Sequence, residues 1–178
     1  FFLLFYYTDV AGISPALVGS ALLVAKLTWD AINDPLFGYW SDRTRSRFGR
    51  RRIYMLIAAV PIAIGSWIQL SLPHGLTGVT AFFAVMLTFW LKDTFVTMAV
   101  VPYASLIAEV THDYQERSSL ALYKSINAVV GYILGAGLVT VLVGLFMNVG
   151  LSRAGAWSGT GAVFGAIAMT TLLITTFS

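Results

Sequence analysis

Two aspartates one helical turn apart, Asp30 and Asp34, are the residues of this sequence whose type and spacing best suit a chemical role. Both lie in an apolar run, Asn33 stands between them, and Lys26 precedes Asp30 by one turn. Side chains at this spacing share one face of a helix. A carboxylate at the centre of a membrane helix costs roughly 2.5–3.5 kcal/mol on insertion scales, so it usually faces a partner or a water-filled path.

The residues alone leave two interpretations of this stripe open. Two carboxylates with an amide between them offer oxygens to a small hard cation such as Na⁺, and they could equally share a proton. The alternative is a structural ion pair between Lys26 and Asp30. That pair would leave Asp34 without an obvious partner, which favours a site for a metal cation or a proton.

Three further charged residues fall inside apolar stretches. Lys92 and Asp93 are adjacent, so their side chains point about 100° apart on a helix and cannot pair well with each other. Structural and functional roles are equally open for these two. Lys124 either extends its apolar stem towards the membrane surface or acts as a counter-charge for Asp30 or Asp34, and we favour the counter-charge.

The composition indicates an integral membrane protein. Of its 178 residues, 58% are hydrophobic and 11% are charged, and the mean hydropathy is +0.81. The net charge of +3 does not indicate a nucleic-acid partner, because most basic residues stand in one short loop. The apolar spans are too long for barrel strands, which predicts an all-α membrane protein. We place the end of a first, truncated helix at 1–7 and five further spans at about 15–39, 53–72, 79–106, 120–147 and from 156 onwards.

Glycines on the last two spans predict closely packed helices, since small residues at four-residue spacing let helix backbones approach in lipid. They are Gly131, Gly135 and Gly137 on the fifth span and Gly159, Gly161 and Gly165 on the sixth.

An arginine-rich loop predicts the orientation. Six arginines fall between Arg43 and Arg52, and Arg117 lies in a second polar loop, against Arg153 alone on the opposite side. Because basic loops remain on the cytoplasmic side, loops 41–52 and 109–119 are predicted to be cytoplasmic.

Several kinds of function are disfavoured by what the sequence lacks. It has no cysteine, no glycine-rich phosphate loop and no zinc motif, so we expect neither an enzyme nor a cofactor. The chain begins and ends within apolar runs, so we expect one domain, residues 1–178, cut from a longer protein at both ends.

Four segments resemble a known transporter family. WDAINDP and the following DRTRSRFGRRR are similar to the glycoside–pentoside–hexuronide:cation symporters, a branch of the major facilitator transporters, as are YYTDVAGIS and VPYASLIAEVTHDYQER. The resemblance implies the N-terminal six-helix bundle of a transporter of about twelve helices. It also implies a bacterial inner-membrane location, and as partners the lipid bilayer, a small-molecule substrate and a C-terminal half of the same protein.

The resemblance assigns roles to individual residues. Asp30 and Asp34 match the carboxylates of the coupling-cation site, Asn33 matches a neighbour that tunes cation choice, and Thr97 matches a ligand on the fourth helix. Lys26 and Lys124 match basic positions that bind substrate or balance charge. Val100 stands where the family has a sugar-binding carboxylate. The residues implied for a conformational loop are Gly38, Asp42, Arg43, Gly49, Arg50, Arg51 and Arg52.

The favoured hypothesis is symport of a sugar or another small polar solute with Na⁺ or H⁺, by alternating access. The first alternative is a lipid or lysolipid transporter on the same scaffold, which Val100 in place of a carboxylate would suit. The second is a membrane interaction protein that transports nothing, which the paired carboxylates disfavour.

Overall fold

The computed structural model describes residues 2–46, 49, 51–110 and 113–177, and within these ranges all regular structure is helical. A short helix α1 (Phe2–Phe5) continues into a π-helical turn (Tyr6–Val10). Five helices long and apolar enough to cross a membrane follow. They are α2 (Pro15–Arg43), α3 (Arg52–Gln69), α4 (Gly78–Val110), α5 (Tyr114–Asn148) and α6 (Arg153–Phe177). The prediction of an all-α membrane protein is confirmed.

The predicted loop at 109–119 is mostly helical. Helix α4 extends to Val110 and α5 begins at Tyr114. Polar side chains do not end a helix, because its backbone hydrogen bonds form within the helix whatever side chains it carries. Asp113 starts α5 instead, since its carboxylate accepts a hydrogen bond of 2.9 Å from the backbone N–H of Gln115.

Glycines on α6 bring its backbone into close contact with that of α3. Helix α3 lies at the centre and packs against α4 and α6, while α2 packs on α4 and α5 packs on α6. A Cβ atom at Gly165 would lie 2.5 Å from the carbonyl oxygen of Ala63, and one at Gly161 would lie 2.9 Å from that of Ser66. On α5, by contrast, a Cβ atom at Gly131 or Gly137 would meet nothing within 4 Å. The predicted close packing therefore applies to α6 against α3.

Two apolar clusters lie at opposite ends of the bundle. The outer cluster gathers Tyr6, Tyr7 and Trp157 around the start of α2 and α4, and the Tyr7 hydroxyl is 3.2 Å from the Thr88 hydroxyl. The inner cluster includes Phe37 and joins α2, α3 and α4. Between the two clusters, α2 and α4 bring polar side chains together.

We predict that Gly165→Ala destabilises the bundle by about 1–3 kcal/mol, because the added methyl group must displace backbone of α3. The measurement is thermal unfolding of the purified full-length protein in detergent. Gly137→Ala is the matched control, since it adds the same methyl group to a membrane helix at an open position. Equal unfolding midpoints for the two variants would contradict the assignment of Gly165 as a packing contact.

Candidate functional site

Two tryptophans tie α2 to α4. The rings of Trp29 and Trp90 stack with centroids 4.8 Å apart and an angle of 20° between planes. Trp29 Nε1 donates a hydrogen bond of 2.8 Å to Thr94 Oγ1, and Trp90 Nε1 donates one of 3.1 Å to the carbonyl oxygen of Ala25. We call these four residues the tryptophan clasp. Each indole thus bonds to the opposite helix, which fixes how far α2 is displaced along α4.

This register brings Asp30 of α2 to Asp93 of α4. The carboxyl groups of Asp30 and Asp34 are both close enough to Asp93 to act on it electrostatically, and Asp30 acts on it more strongly. Lys26 Nζ is 3.4 Å from Asp30 Oδ2, so it forms the ion pair considered as an alternative role for these residues. Like charges this close repel unless a proton, a cation or an ammonium group compensates them.

Asp34 is placed opposite Thr97 by the same register. Asp30 and Asp93, which lie next to each other, are 63 positions apart in the sequence. The same offset recurs two turns later, where a Cβ atom at Gly38 would lie 3.9 Å from Val101. Asp34 and Thr97 are also 63 positions apart and lie midway between these two pairs, so Thr97 stands opposite Asp34. Thr97 is 8% exposed, so its hydroxyl belongs to the buried interface between the helices.

Two buried polar atoms at this interface lack hydrogen-bond partners among the described residues. They are Asn33 Nδ2 and Asp93 Oδ2. Asn33 is only 2% exposed. Unpaired buried polar atoms are costly in a protein interior and mark places where a ligand or water completes the structure. The orphaned oxygen of Asp93 is the kind of donor atom that a hard cation takes.

The donor set limits which cation could fit. Within the described ranges, no group of three His, Cys, Asp or Glu side chains is arranged to hold a metal ion. A divalent ion such as Ca²⁺ needs six to eight oxygen ligands, many of them charged. Two carboxylates from different helices with a nearby hydroxyl suit a single positive charge better. The α2–α4 interface is therefore a candidate site for a monovalent cation or a proton.

Sequence reasoning left the role of Asp93 open, and the structure supplies the missing information. Its contact with Asp30 depends on the pairing of two helices that are far apart in the sequence. The available signal was a third carboxylate in an apolar span. On its other side, Asp93 lines a cavity of about 420 Å³ together with Ser66, Gln69 and Lys92. Polar side chains thus extend from the α2–α4 interface past α4 to α3.

Lys124 lies apart from this site. It occupies an exposed position on α5, and α5 packs chiefly on α6. No ion pair of Lys124 occurs among the described residues, and the ammonium that acts on Asp93 from α2 is that of Lys26. The structure thus brings Lys26 to the carboxylates, and the counter-charge role of Lys124 stays a prediction.

The predicted conformational loop contains an ion pair between a buried arginine and an exposed aspartate. Arg51 is 8% exposed, and its Nη2 lies 3.6 Å from Asp42 Oδ1 at the end of α2. The Arg43 guanidinium stacks over the Tyr39 ring at 4.1 Å. The contact of Arg51 with Asp42 joins the end of α2 to the residue that precedes α3, whereas Arg43 and Tyr39 both belong to α2.

The other loop residues have simpler surroundings. Gly49 has φ +96°, a left-handed conformation that glycine adopts without strain. Arg52 is the first residue of α3 and is exposed. Gly38 lies within α2 opposite Val101, and Arg50 lies outside the described residues.

Comparison with known proteins shows similarity along the whole chain. The family model described as MFS/sugar transport protein matches residues 1–178. An uncharacterized symporter of Synechocystis sp. is 42% identical over 75% of this chain and 25% of its own length. The isoprimeverose transporter of Lactiplantibacillus pentosus is 31% identical over 97% of the chain and 36% of its length. The mouse sodium-dependent lysophosphatidylcholine symporter 1 is 32% identical over 81% of this chain and 28% of its own length. The chain therefore spans 25–36% of the length of these relatives.

The register of α2 on α4 predicts which positions can be cross-linked. The sequence has no cysteine, so cysteines can be placed in pairs in a full-length protein freed of any others. We expect the pair Asp34→Cys and Thr97→Cys to react with a short bifunctional thiol reagent, because the offset puts these positions opposite each other. The pair Asp34→Cys and Lys124→Cys is the control and should stay unlinked, as gel mobility after proteolysis between the helices would report. Linking in the control pair alone would contradict the register.

Proposed function

The chain belongs to the family of MFS/sugar transport proteins, and on that premise we propose that it is part of a cation-coupled symporter working by alternating access. The proposed solute is a sugar or another small polar molecule, and the proposed coupling ion is Na⁺ or H⁺. A second helical bundle of the same protein is the proposed partner, against which this bundle rocks to expose the solute to either side.

The observation that carries this proposal is the meeting of Asp30 and Asp93 between two membrane helices. Intramembrane carboxylates are rare, and they mark ion pathways and proton relays when they face one another inside a bundle. Asp34 and Thr97 extend the proposed site by one turn, and Asn33 borders it. The Lys26 ammonium can hold Asp30 when no cation is present, because it already lies 3.4 Å away.

Coupling follows from differential affinity. A cation that neutralises the repulsion between Asp30 and Asp93 stabilises the helix arrangement in which both face it. If that arrangement is also the one that binds solute, cation and solute favour each other's binding. The gradient of the cation then drives accumulation of the solute.

We expect Asp34→Asn to abolish uphill accumulation, because the amide removes a negative charge that the proposed cation requires. The measurement is uptake of labelled solute into vesicles containing the full-length protein, with an imposed Na⁺ or H⁺ gradient. In the variant the internal solute should not exceed the external concentration, at unchanged protein content. Asp9→Asn, at an exposed position in the π-helical turn, is the matched control and should accumulate solute as the wild type does. Undiminished accumulation by Asp34→Asn under both gradients would overturn the cation site.

The arginine-rich loop has a proposed role as a latch for one state of the cycle. The buried Arg51 guanidinium holds Asp42, so that α2 and α3 are joined on the side predicted to be cytoplasmic. Loss of the Asp42 contact is costly on the arginine side, because a buried guanidinium cannot readily replace a carboxylate with water. The latch would therefore bias the balance between the two orientations of the bundle.

We predict that Arg51→Gln lowers the maximal rate of solute uptake several-fold while the half-saturating solute concentration stays close to the wild-type value. The reason is that the change alters the conformational balance and leaves the solute contacts in place. Arg45→Gln removes the same charge from an exposed position of the same loop and is the control. If both variants slow uptake equally, the number of positive charges matters and the Asp42 contact does not.

A lysolipid is the second candidate solute. Val100 is 50% exposed and lines an apolar cavity of about 140 Å³ with Met55, Tyr103 and Leu172. A carboxylate at this position would bind sugar hydroxyls, whereas valine offers only apolar surface. Uptake assays with a labelled glycoside and a labelled lysolipid, each under the same Na⁺ gradient, separate the two solutes.

A further inference from the structure

Two residues of the tryptophan clasp are the chain neighbours of the carboxylates. Trp29 precedes Asp30 in α2, and Thr94 follows Asp93 in α4. The hydrogen bond from Trp29 to Thr94 therefore joins the chain neighbours of Asp30 and Asp93, the two carboxylates that act on each other in the proposed cation site. A change in this bond moves both carboxylates, because each shares a rigid helical turn with one end of it.

The polar atoms of the clasp are occupied in holding the helices. The Thr94 hydroxyl accepts from Trp29 Nε1 at 2.8 Å and donates its own hydrogen to the carbonyl oxygen of Trp90 at 2.6 Å. Trp90 Nε1 donates in turn to Ala25. This arrangement uses the single hydrogen of each donor group. The clasp is suited to positioning other groups and does not itself offer a ligand.

Repulsion between Asp30 and Asp93 tends to separate the helices that the clasp holds together. Two neighbouring carboxylates repel each other when both are charged, and the single ammonium group of Lys26, 3.4 Å from Asp30, can balance only one of the two charges. Repulsion would separate α2 from α4 unless other contacts resist it. The stacked indoles and their two hydrogen bonds supply that resistance within one turn of the carboxylates.

We propose that the tryptophan clasp is a positioning device that keeps Asp30 close to Asp93 and thereby makes the site selective for small cations, Li⁺ and Na⁺, over K⁺. This inference rests on the proposed function above. A narrow gap between two carboxylates admits a small ion with short oxygen contacts. A larger ion fits only if the helices move apart, and a rigid supporting shell prevents that movement.

An indole hydrogen bond outside the clasp provides a control of the same chemistry. Trp67 Nε1 donates a hydrogen bond of 2.9 Å to the Ser158 hydroxyl, which joins α3 to α6. Neither residue belongs to the α2–α4 interface. Loss of this bond should affect stability without affecting cation choice, so it separates a structural effect from a positioning effect.

The test measures binding of radioactive Na⁺ to the purified full-length protein, in competition with Li⁺ and K⁺. Trp29→Phe and Thr94→Val remove the same hydrogen bond from its two ends. Each should weaken Na⁺ binding about tenfold, as loss of a group that orients ligands does, and should bring K⁺ closer to Na⁺ as a competitor. The double variant should be no weaker than either single variant, since both remove one interaction. Thr94→Ser keeps the hydroxyl and should bind as the wild type does, and so should Trp67→Phe.

Each other outcome has a defined meaning. If Trp29→Phe and Thr94→Val lower only the thermal midpoint, with the affinities and order of Li⁺, Na⁺ and K⁺ unchanged, the clasp is structural and the inference is wrong while the proposed function stands. If the wild type binds no alkali cation yet accumulates solute under a proton gradient, size selection is overturned and symport remains in its proton form. If neither gradient drives uptake by the wild type, the proposed function fails, and the inference fails with it.

Discussion

Two indole N–H groups set the register between α2 and α4, and each reaches a hydrogen-bond acceptor on the opposite helix. In a bilayer there is no water to replace a lost hydrogen bond, so such contacts hold their geometry once formed. The candidate site depends on this one displacement. Because every turn of α2 faces a fixed turn of α4, Asp30 meets Asp93, and the same offset places Asp34 opposite Thr97.

The remainder of the bundle gives this interface a rigid support. Apolar side chains gain little from contact with one another in lipid, so close packing of small residues replaces the hydrophobic effect between helices. Gly161 and Gly165 let α6 approach the backbone of α3, and a Cβ atom at Gly65 would lie only 3.2 Å from the Cα atom of Lys92 on α4. Helix α3 is thus held on both sides. The carboxylates of the α2–α4 interface are supported by a helix that has little freedom to shift.

Hydropathy was sufficient to predict the helices, since a span that must bury its backbone in lipid has to be long and apolar. The boundaries between α4 and α5 were less predictable, because helical hydrogen bonding continues past the end of the apolar span. Asp30, Asp34 and Asn33 were predicted as site residues from their spacing, and the family resemblance added Thr97. The partner of Asp93 could not be found in this way, because adjacent charges such as Lys92 and Asp93 carry no information about which helix each will face.

The sequence by itself determined that this is a membrane protein, which helices cross the bilayer, and that one of them carries two carboxylates on one face. These properties follow from local composition and from the period of the helix. Only the tertiary structure decided which groups meet: Asp30 with Asp93, Lys26 with Asp30, and the two tryptophans with the opposite helix. The physical reason is that contacts between helices depend on their displacement along one another, and that displacement is set by a few hydrogen bonds between residues distant in the chain. Such bonds leave no periodic pattern in the sequence.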